Sequence, residues 1–218
     1  MRIYRLTWAF IYLALLVGAA QAATVTASTG DVQFVRGERS MPAVTGTVLL
    51  EGDAVLTSTG SGTVLTFEDG GRLLVRAQSQ LQILELPQAA RPTMRGKTIR
   101  IMRGSLRYVS GKAIYRGRVR FETRGVSVGI RGTDIELSFS EESPLASGTY
   151  LKVNRGQAFL EAIDGTTVEL EPGQVAYGAL PGLRARGPGG PAVPAARRID
   201  DAPPGVFERS GSLDEFLN

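Results

Sequence analysis

The sequence contains neither cysteine nor histidine among its 218 residues. Without these two residue types, the usual zinc sites, Ser-His-Asp triads and Cys-His nucleophile pairs are excluded, and with them most hydrolase mechanisms. The absence of cysteine also excludes disulfides, so the fold must be held together by apolar burial and backbone hydrogen bonds. The sequence therefore predicts a non-enzymatic protein with no cofactor and no metal site.

Only one long apolar run is present, from Leu6 to Ala20, and it follows a short basic segment with Arg2 and Arg5. Ala20-Gln21-Ala22 then offers small residues at the two positions that a signal peptidase recognises. A run of about 15 residues is short for a bilayer span of about 20. We therefore expect residues 1–22 to be a cleaved signal peptide and not a membrane anchor. The mature chain is expected to be periplasmic or secreted, with no membrane span.

Composition changes near residue 180. Residues 23–180 consist of short runs rich in Val, Ile, Leu, Thr, Phe and Tyr, without a helical stripe, which predicts one all-β domain. From Pro181 onward Pro, Gly, Ala and Arg dominate, which predicts a disordered tail over residues 181–218. Within it, Ser212 and Glu215 have the spacing of a helix capping box. We expect a frayed terminus there, with a docking peptide as the alternative.

The stretch from Arg118 to Ser140 carries the most specific local signal. Its apolar residues alternate, but the phase slips by one at Gly125 and again at Gly132. Side chains of a strand alternate faces with a period of two, so each slip requires a turn or a bulge, and glycine adopts positive φ readily. We expect three short strands joined by two sharp corners.

A related pattern, in which an Arg-Gly pair separates two alternating apolar segments, recurs around Gly104, Gly125 and Gly156 without a strict period. Short strands that meet at glycine corners are typical of a β-solenoid-like coil or a flattened two-sheet roll of many short strands. We favour the solenoid-like arrangement, with a sandwich or a closed barrel as alternatives.

Several motifs resemble the FecR domain family and occur in the family's order. The matching segments are Gly52-Asp53, Leu56-Thr57, Leu65-Thr66-Phe67, Asp69-Gly70, Gly129 to Ile135, Gly156 to Leu160 and Leu170 to Gln174. The resemblance spans about residues 45–178. It implies the all-β domain of a family that is named for a periplasmic regulator sensing ferric citrate transport.

Two departures limit what the resemblance implies. Thr123 is followed by Arg124, where many family members have proline after the threonine. The membrane-bound regulators of the family also carry a sigma-factor-binding segment and one membrane helix before this domain, and a small α/β module after it. Here the domain follows a predicted signal peptide and precedes a predicted tail, so we do not expect it to regulate a sigma factor.

Charge is distributed unevenly along the domain. Twelve basic residues and one acid, Glu122, lie between Arg91 and Arg131. Alternation places four of these arginines on the face opposite the apolar side chains: Arg100, Arg107, Arg118 and Arg120. They predict a face that binds carboxylates, phosphates or an anionic envelope polymer. The alternative is a solvated face whose arginines pair with acids of neighbouring strands. Aromatic stacking platforms are missing, so nucleic acid is not an expected partner.

The family motif Arg131-Gly132-Thr133-Asp134 has two interpretations. It would act functionally as an exposed polar recognition loop. In the structural interpretation, which we favour, Gly132 makes the corner, Thr133 and Asp134 accept hydrogen bonds from its backbone, and Arg131 pairs locally. Glu141 and Glu142 are adjacent in a predicted loop, which does not provide the separated carboxylates of a glycosidase cleft.

These observations predict an exported, non-enzymatic binding or scaffolding module of the bacterial cell envelope. Its expected partner is an envelope protein or an anionic polymer. Three alternatives stay open: a carboxylate-based carbohydrate-active enzyme, a sensor component of an envelope signalling pathway, and a purely architectural spacer.

Overall fold

A computed structural model describes residues 23–86, 96–111, 118–142, 147–182, 194–207 and 211–217. The strands are β1 (Ala23–Thr29), β2 (Val32–Arg36), β3 (Arg39–Pro42), β4 (Val48–Leu49), β5 (Ala54–Thr57), β6 (Gly62–Phe67), β7 (Arg72–Val75), β8 (Gln80–Glu85), β9 (Lys97–Val109), β10 (Val119–Thr123), β11 (Val126–Ser140), β12 (Gly148–Ala162), β13 (Thr167–Leu170), β14 (Val175–Gly178) and β15 (Ala196–Ile199), and a 3-10 helix spans Gly211–Leu217. The predicted signal peptide, residues 1–22, lies outside the described residues. Within them, no helix is long and apolar enough to cross a bilayer.

The strands belong to one open sheet. Its main path runs β15-β14-β12-β11-β10-β9-β7-β6-β1-β4, and a branch leaves β9 through β8, β5, β2 and β3. Among the described residues, β9–β10 is the one parallel pairing, and the others are antiparallel. The prediction of an all-β fold of many short strands is confirmed. The strands of a solenoid stack in parallel from coil to coil. The antiparallel pairing found here corresponds instead to the rolled-sheet alternative.

The sheet rolls over its own inner face, where one large apolar cluster gathers side chains from both of its ends. Leu49 of β4 and Ala196 of β15 belong to this cluster, together with the buried rings of Tyr108, Phe121 and Phe139. The period-two alternation of apolar and polar residues along each strand directs the apolar side chains to this face. The core therefore lies inside the roll, and the outer face is available for contacts.

Glycines bend the three longest strands, β9, β11 and β12. Gly104, Gly132 and Gly156 have φ angles of 92°, 61° and 81°, a region that other residues rarely adopt. Gly125 lies in the hairpin turn between β10 and β11, so the first predicted corner between Arg118 and Ser140 is confirmed. The second is a bulge inside β11, where the register shifts while the strand continues, so two of the three expected short strands form one long strand.

The structure differs from the predicted disorder of residues 181–218 in two places. β15 pairs with β14 at the edge of the sheet. Backbone hydrogen bonds stabilise this strand although its sequence contains few apolar residues. Residues 211–217 pack against the outer face of the sheet and bury Leu213 and Leu217, so the docking peptide, and not the frayed terminus, describes this segment. We call residues 211–217 the docked helix. Residues 183–193 and 208–210 lie outside the described residues.

Candidate functional site

The outer face of β9 and β10 holds three of the four arginines predicted to form a basic face. Arg100 and Arg120 extend outward from neighbouring strands, with Glu122 opposite Arg100 and Arg120 opposite Thr98 in the parallel pairing. Arg118 directly precedes β10, shares the parity of Arg120 and is exposed. The structure therefore brings Arg100, Arg118 and Arg120 to one side of the β9–β10 pair.

Arg107 lies apart from them, because the bend at Gly104 divides β9 into two limbs. Residues 97–103 pair with β8 and β10, whereas residues 104–109 pair with β7 and β11. Arg107 donates two hydrogen bonds to Asp134, from Nε to Oδ1 at 3.0 Å and from Nη2 to Oδ2 at 2.7 Å. Hydrogen bonding to this carboxylate raises the pKa of Arg107. Arg107 is therefore part of an ion pair of the second limb and does not join the other three arginines.

Acidic side chains interleave with the arginines on the β9–β10 face. Arg100 Nη2 lies 3.0 Å from Glu122 Oε2, and the two side chains are 49% and 30% exposed. Arg124 lies 2.9 Å from Glu141 in a second exposed pair. Ion pairs of this kind typically contribute no more than about 1 kcal/mol of stability. The face therefore carries both signs of charge in weak, exposed pairs.

An open groove of about 840 Å³ follows this face, and we call it the mixed-charge groove. Its charged lining residues are Arg100, Arg120, Arg124, Glu122, Glu141 and Glu161. Two large apolar side chains that also line it are exposed, Met102 at 48% and Ile163 at 73%. Protein interfaces are enriched in Met and Arg around an apolar centre, whereas a polyanion requires a field of one sign. The composition of the groove suits a protein segment.

The family motif holds the bend of β11 in place. Thr133 is fully buried, and Ser110 satisfies its backbone: Thr133 N donates to Ser110 Oγ at 2.6 Å, and Ser110 N donates to Thr133 O at 2.9 Å. Asp134 binds Arg107. The prediction that Thr133 and Asp134 accept hydrogen bonds from the backbone of the corner is therefore wrong, because Ser110 takes this role. These contacts favour the structural interpretation of the motif.

Arg131, the first residue of the motif, is exposed. The local pairing predicted for its side chain is not found within the described part of the chain.

Glu141, the first acid of the adjacent pair with Glu142, is exposed and bound to Arg124. The described residues contain no group of three or more Asp or Glu side chains that could hold a metal ion.

The core contains a charged cluster that the sequence did not predict. Lys97 in β9 is 1% exposed, and its Nζ lies 3.0 Å from both carboxylate oxygens of Asp69 and 3.0 Å from the hydroxyl of Tyr108. The same nitrogen lies 3.8 Å from the centroid of the Phe67 ring. Burial lowers the pKa of Lys97 to about 8 and raises the pKa of Tyr108. Lys97 lies two residues before Ile99 and therefore on the same, inward side of β9. This alternation could have identified the buried lysine from the sequence. Because Lys97 and Tyr108 are buried inside the roll, the ammonium is not accessible to a substrate.

Comparisons with known proteins agree with this fold. The family model described as FecR protein matches residues 53–159. Two crystal structures of a proposed anti-sigma factor from Parabacteroides distasonis match with a TM-score of 0.50 and 12% identity, over 67% of this chain and 60% of that one. At this identity the likeness concerns the fold alone, and the chain spans 60% of the length of that protein. The comparison with curated proteins gives no match.

Proposed function

Residues 53–159 of this chain belong to the FecR family, and from that membership we propose that the protein is an exported, non-enzymatic binding or scaffolding module of the bacterial cell envelope. The predicted signal peptide at residues 1–22 supports export. The all-β body carries its core inside the roll and presents strand faces and grooves outward. These properties suit a domain that acts by contact with a partner.

The mixed-charge groove is the observation that carries the binding role. Met102 and Ile163 are exposed apolar side chains in its lining, which also contains the ion pairs Arg100–Glu122 and Arg124–Glu141. An apolar centre with a polar rim is the anatomy of a protein interface. We therefore assign an envelope protein as the partner, with an anionic envelope polymer as the alternative that the basic residues Arg100, Arg118 and Arg120 support.

The non-catalytic role rests on the chemistry of the available side chains. The sequence contains no histidine and no cysteine. Glu122 and Glu141, two carboxylates of the groove, are bound to arginines. Carboxylate catalysis of glycoside hydrolysis needs one acid with a raised pKa and one free carboxylate across a cleft. Each of these two carboxylates is engaged by an arginine instead, which does not match this arrangement.

A sensor role in envelope signalling is the second candidate function. Two solved structures with this fold are described as a proposed anti-sigma factor. A sensor would use the same groove, and its partner would be a membrane protein that changes state on binding. The identity of the captured partner therefore separates a sensor from a scaffold.

Crosslinking of a tagged chain in the envelope, followed by purification and mass spectrometry, tests the proposal. We expect one dominant envelope protein. Met102→Asp combined with Ile163→Asp should lose this partner, because each substitution places a charge where an apolar contact forms. Val44→Asp combined with Val48→Asp changes two comparably exposed apolar side chains, at 60% and 49%, that do not line the groove. This control should keep the partner.

Recovery of the same partner by both double variants would exclude the groove as the binding site. The location is tested independently by intact-mass analysis of the fractionated protein. The expected mass is that of a chain beginning at Ala23 in the periplasmic or secreted fraction. Retention of residues 1–22 in a membrane pellet would contradict export as a free module.

A further inference from the structure

The outer face of the second limb of β9 and its neighbours has the composition of a docking site. The exposed face of an antiparallel sheet is ordinarily polar. Here it carries an apolar floor built from three strands and the end of β9: Ala27, Val64, Leu74 and Val109. These side chains form one buried cluster with Leu213 and Leu217 of the docked helix. We call this floor and the arginines around it the basic-apolar groove.

The groove has a specific place for Leu213. A Cβ atom built on Gly62 would lie 2.8 Å from Leu213 Cδ1. This is closer than Cβ atoms approach a neighbouring carbon, so Leu213 would have to shift if position 62 carried a side chain. Leu213 is 5% exposed and Leu217 is 2% exposed. Leu213 and Leu217, which lie four residues apart, therefore both anchor the docked helix.

Three arginines contact the polar groups of the same segment. Asp214 Oδ1 lies 3.4 Å from Arg76 Nη2 and 3.5 Å from Arg107 Nη1. Arg72 donates from Nη1 to the carbonyl oxygen of Phe216 at 2.7 Å, and from Nη2 to that of Leu217 at 3.0 Å. The groove thus binds the acidic side chain that directly follows Leu213. It also binds the backbone carbonyl oxygens at the end of the short helix.

The docked helix fills only part of the available space. A cavity of about 860 Å³ adjoins it and is lined by Leu213, Val206 and Arg76 among other residues. A 3-10 helix of seven residues has weak hydrogen-bond geometry and is marginal on its own. Its docking therefore depends on the tether, which typically supplies an effective concentration on the order of millimolar. A longer segment of the same chemistry would cover more of the surface.

We propose that the basic-apolar groove is an exchangeable docking site for an acidic helical segment of a partner protein, and that the docked helix occupies it when this partner is absent. The partner segment carries two leucine-like side chains four residues apart with an acid directly after the first. It is longer than the docked helix and extends into the adjoining cavity. The adjoining cavity shares Met102, Phe139 and Glu141 with the mixed-charge groove, but the apolar floor and the contacts of the docked helix do not belong to that groove. The inference goes beyond the proposed function.

Binding of a labelled peptide in trans tests the exchange. The probe is a fluorescent peptide with the sequence of residues 208–218. The full chain with Leu213→Ala, Asp214→Ala and Leu217→Ala, which we call the opened variant, should bind it. Wild type should bind at least about 10-fold more weakly, because its own segment competes at high effective concentration. A control chain with Glu215→Ala and Phe216→Ala, whose changed side chains are exposed, should behave as wild type.

The peptide itself supplies a second control. A peptide with Asp214→Arg should bind the opened variant at least about 10-fold more weakly than the unmodified peptide, since it replaces two favourable charge contacts by repulsion from Arg76 and Arg107. Equal binding of both peptides would overturn the assigned chemistry. Absence of peptide binding by a folded opened variant would overturn the exchange. Failure of the opened variant to fold would also overturn it, because the segment would then be integral to the fold.

Selection of random displayed peptides against the opened variant identifies the partner chemistry. We expect enrichment of sequences with two large apolar residues four positions apart and Asp or Glu after the first. Enriched sequences without this pattern would overturn the proposal. Light scattering of concentrated wild type should show a monomer. A dimer that disappears in the opened variant would identify a second copy as the occupant and would contradict the partner helix.

Discussion

The ammonium of Lys97 lies 3.0 Å from each carboxylate oxygen of Asp69 inside the apolar roll. The hydroxyl of Tyr108 and the ring of Phe67 complete its surroundings. A buried ion pair is stabilising only when its geometry and hydrogen bonds offset the loss of hydration. Here desolvation is the largest influence on Lys97, since its pKa falls from 10.5 to about 8 despite the carboxylate. The cluster therefore links stability to pH.

We expect the stability of the protein to rise with pH between about 8 and 10. In this range the folded chain has released the Lys97 proton, whereas the unfolded chain retains it up to pH 10.5. The unfolded state then binds more protons, so the free energy of unfolding increases with pH. The full shift corresponds to about 3 kcal/mol. Urea denaturation at several pH values measures the slope.

Lys97→Met should remove this slope, and Lys152→Met, at a half-buried lysine of β12, should keep it. Measurements stop below pH 10 because the pKa of Tyr108 is raised by burial, which adds an opposite dependence above the ordinary tyrosine value. An identical slope in wild type and Lys97→Met would show that Lys97 keeps its ordinary pKa in the folded chain.

Alternation along the strands predicted the inner and outer sides of the sheet. Ile99 and Phe121 are fully buried, while Arg100 and Arg120 are exposed, as their parity indicates. This information is local, because it depends only on the period of two within each strand. Alternation also placed Lys97 on the inner side, but the residue type argued against burial until its partner Asp69 was known.

Gly132→Val should lower the free energy of unfolding by about 1–3 kcal/mol. The φ angle of Gly132 is 61°, which a β-branched residue rarely adopts. A Cβ atom at this position meets no atom within 4 Å, so the loss comes from backbone strain and not from a steric clash. Thermal and urea denaturation measure it.

Gly132→Asn is the matched control, since asparagine tolerates the left-handed region and should lose much less stability. Arg131→Ala should be nearly neutral, because this side chain is exposed. A Gly132→Val protein as stable as wild type would show that the backbone adopts another conformation at this bulge.

Pairing of distant strands is what the sequence pattern did not predict. Arg107 and Arg100 both point outward, but the two limbs of β9 pair with different strands. Arg107 therefore meets Asp134 on β11, and Arg100 meets Glu122 on β10. The docked helix was expected only as an alternative to a frayed terminus for the same reason, because the apolar floor beneath it combines residues from β1, β6, β7 and β9. Such a patch exists only after these strands have assembled.

The Arg107–Asp134 pair should be stronger than the Arg100–Glu122 pair. Asp134→Ala leaves the mostly buried guanidinium of Arg107 with the more distant carboxylates of Asp214 and Glu136, and should destabilise the protein by about 2 kcal/mol. A double-mutant cycle with Arg107→Met should give a coupling of about 1–3 kcal/mol. The same cycle on Arg100→Met and Glu122→Ala should give less than about 1 kcal/mol, because both side chains are partly exposed. Equal couplings would contradict the burial difference.

Reversing the charge of arginines on the β9–β10 face tests whether these side chains bind an anion or are only solvated. Arg118→Glu combined with Arg120→Glu should abolish retention on an anionic matrix, and moderate salt should do the same to wild type, because screening acts over about 8 Å at physiological ionic strength. The melting temperature should barely change, since both side chains are exposed. Arg39→Glu combined with Arg155→Glu makes the same change in net charge at exposed residues of β3 and β12. Loss of retention in both double variants would show that only net charge matters. Unchanged retention of the Arg118→Glu, Arg120→Glu variant would mean that these two arginines do not form an anion-binding face. Loss in the first alone would place the anionic contact on the strand pair that borders the mixed-charge groove.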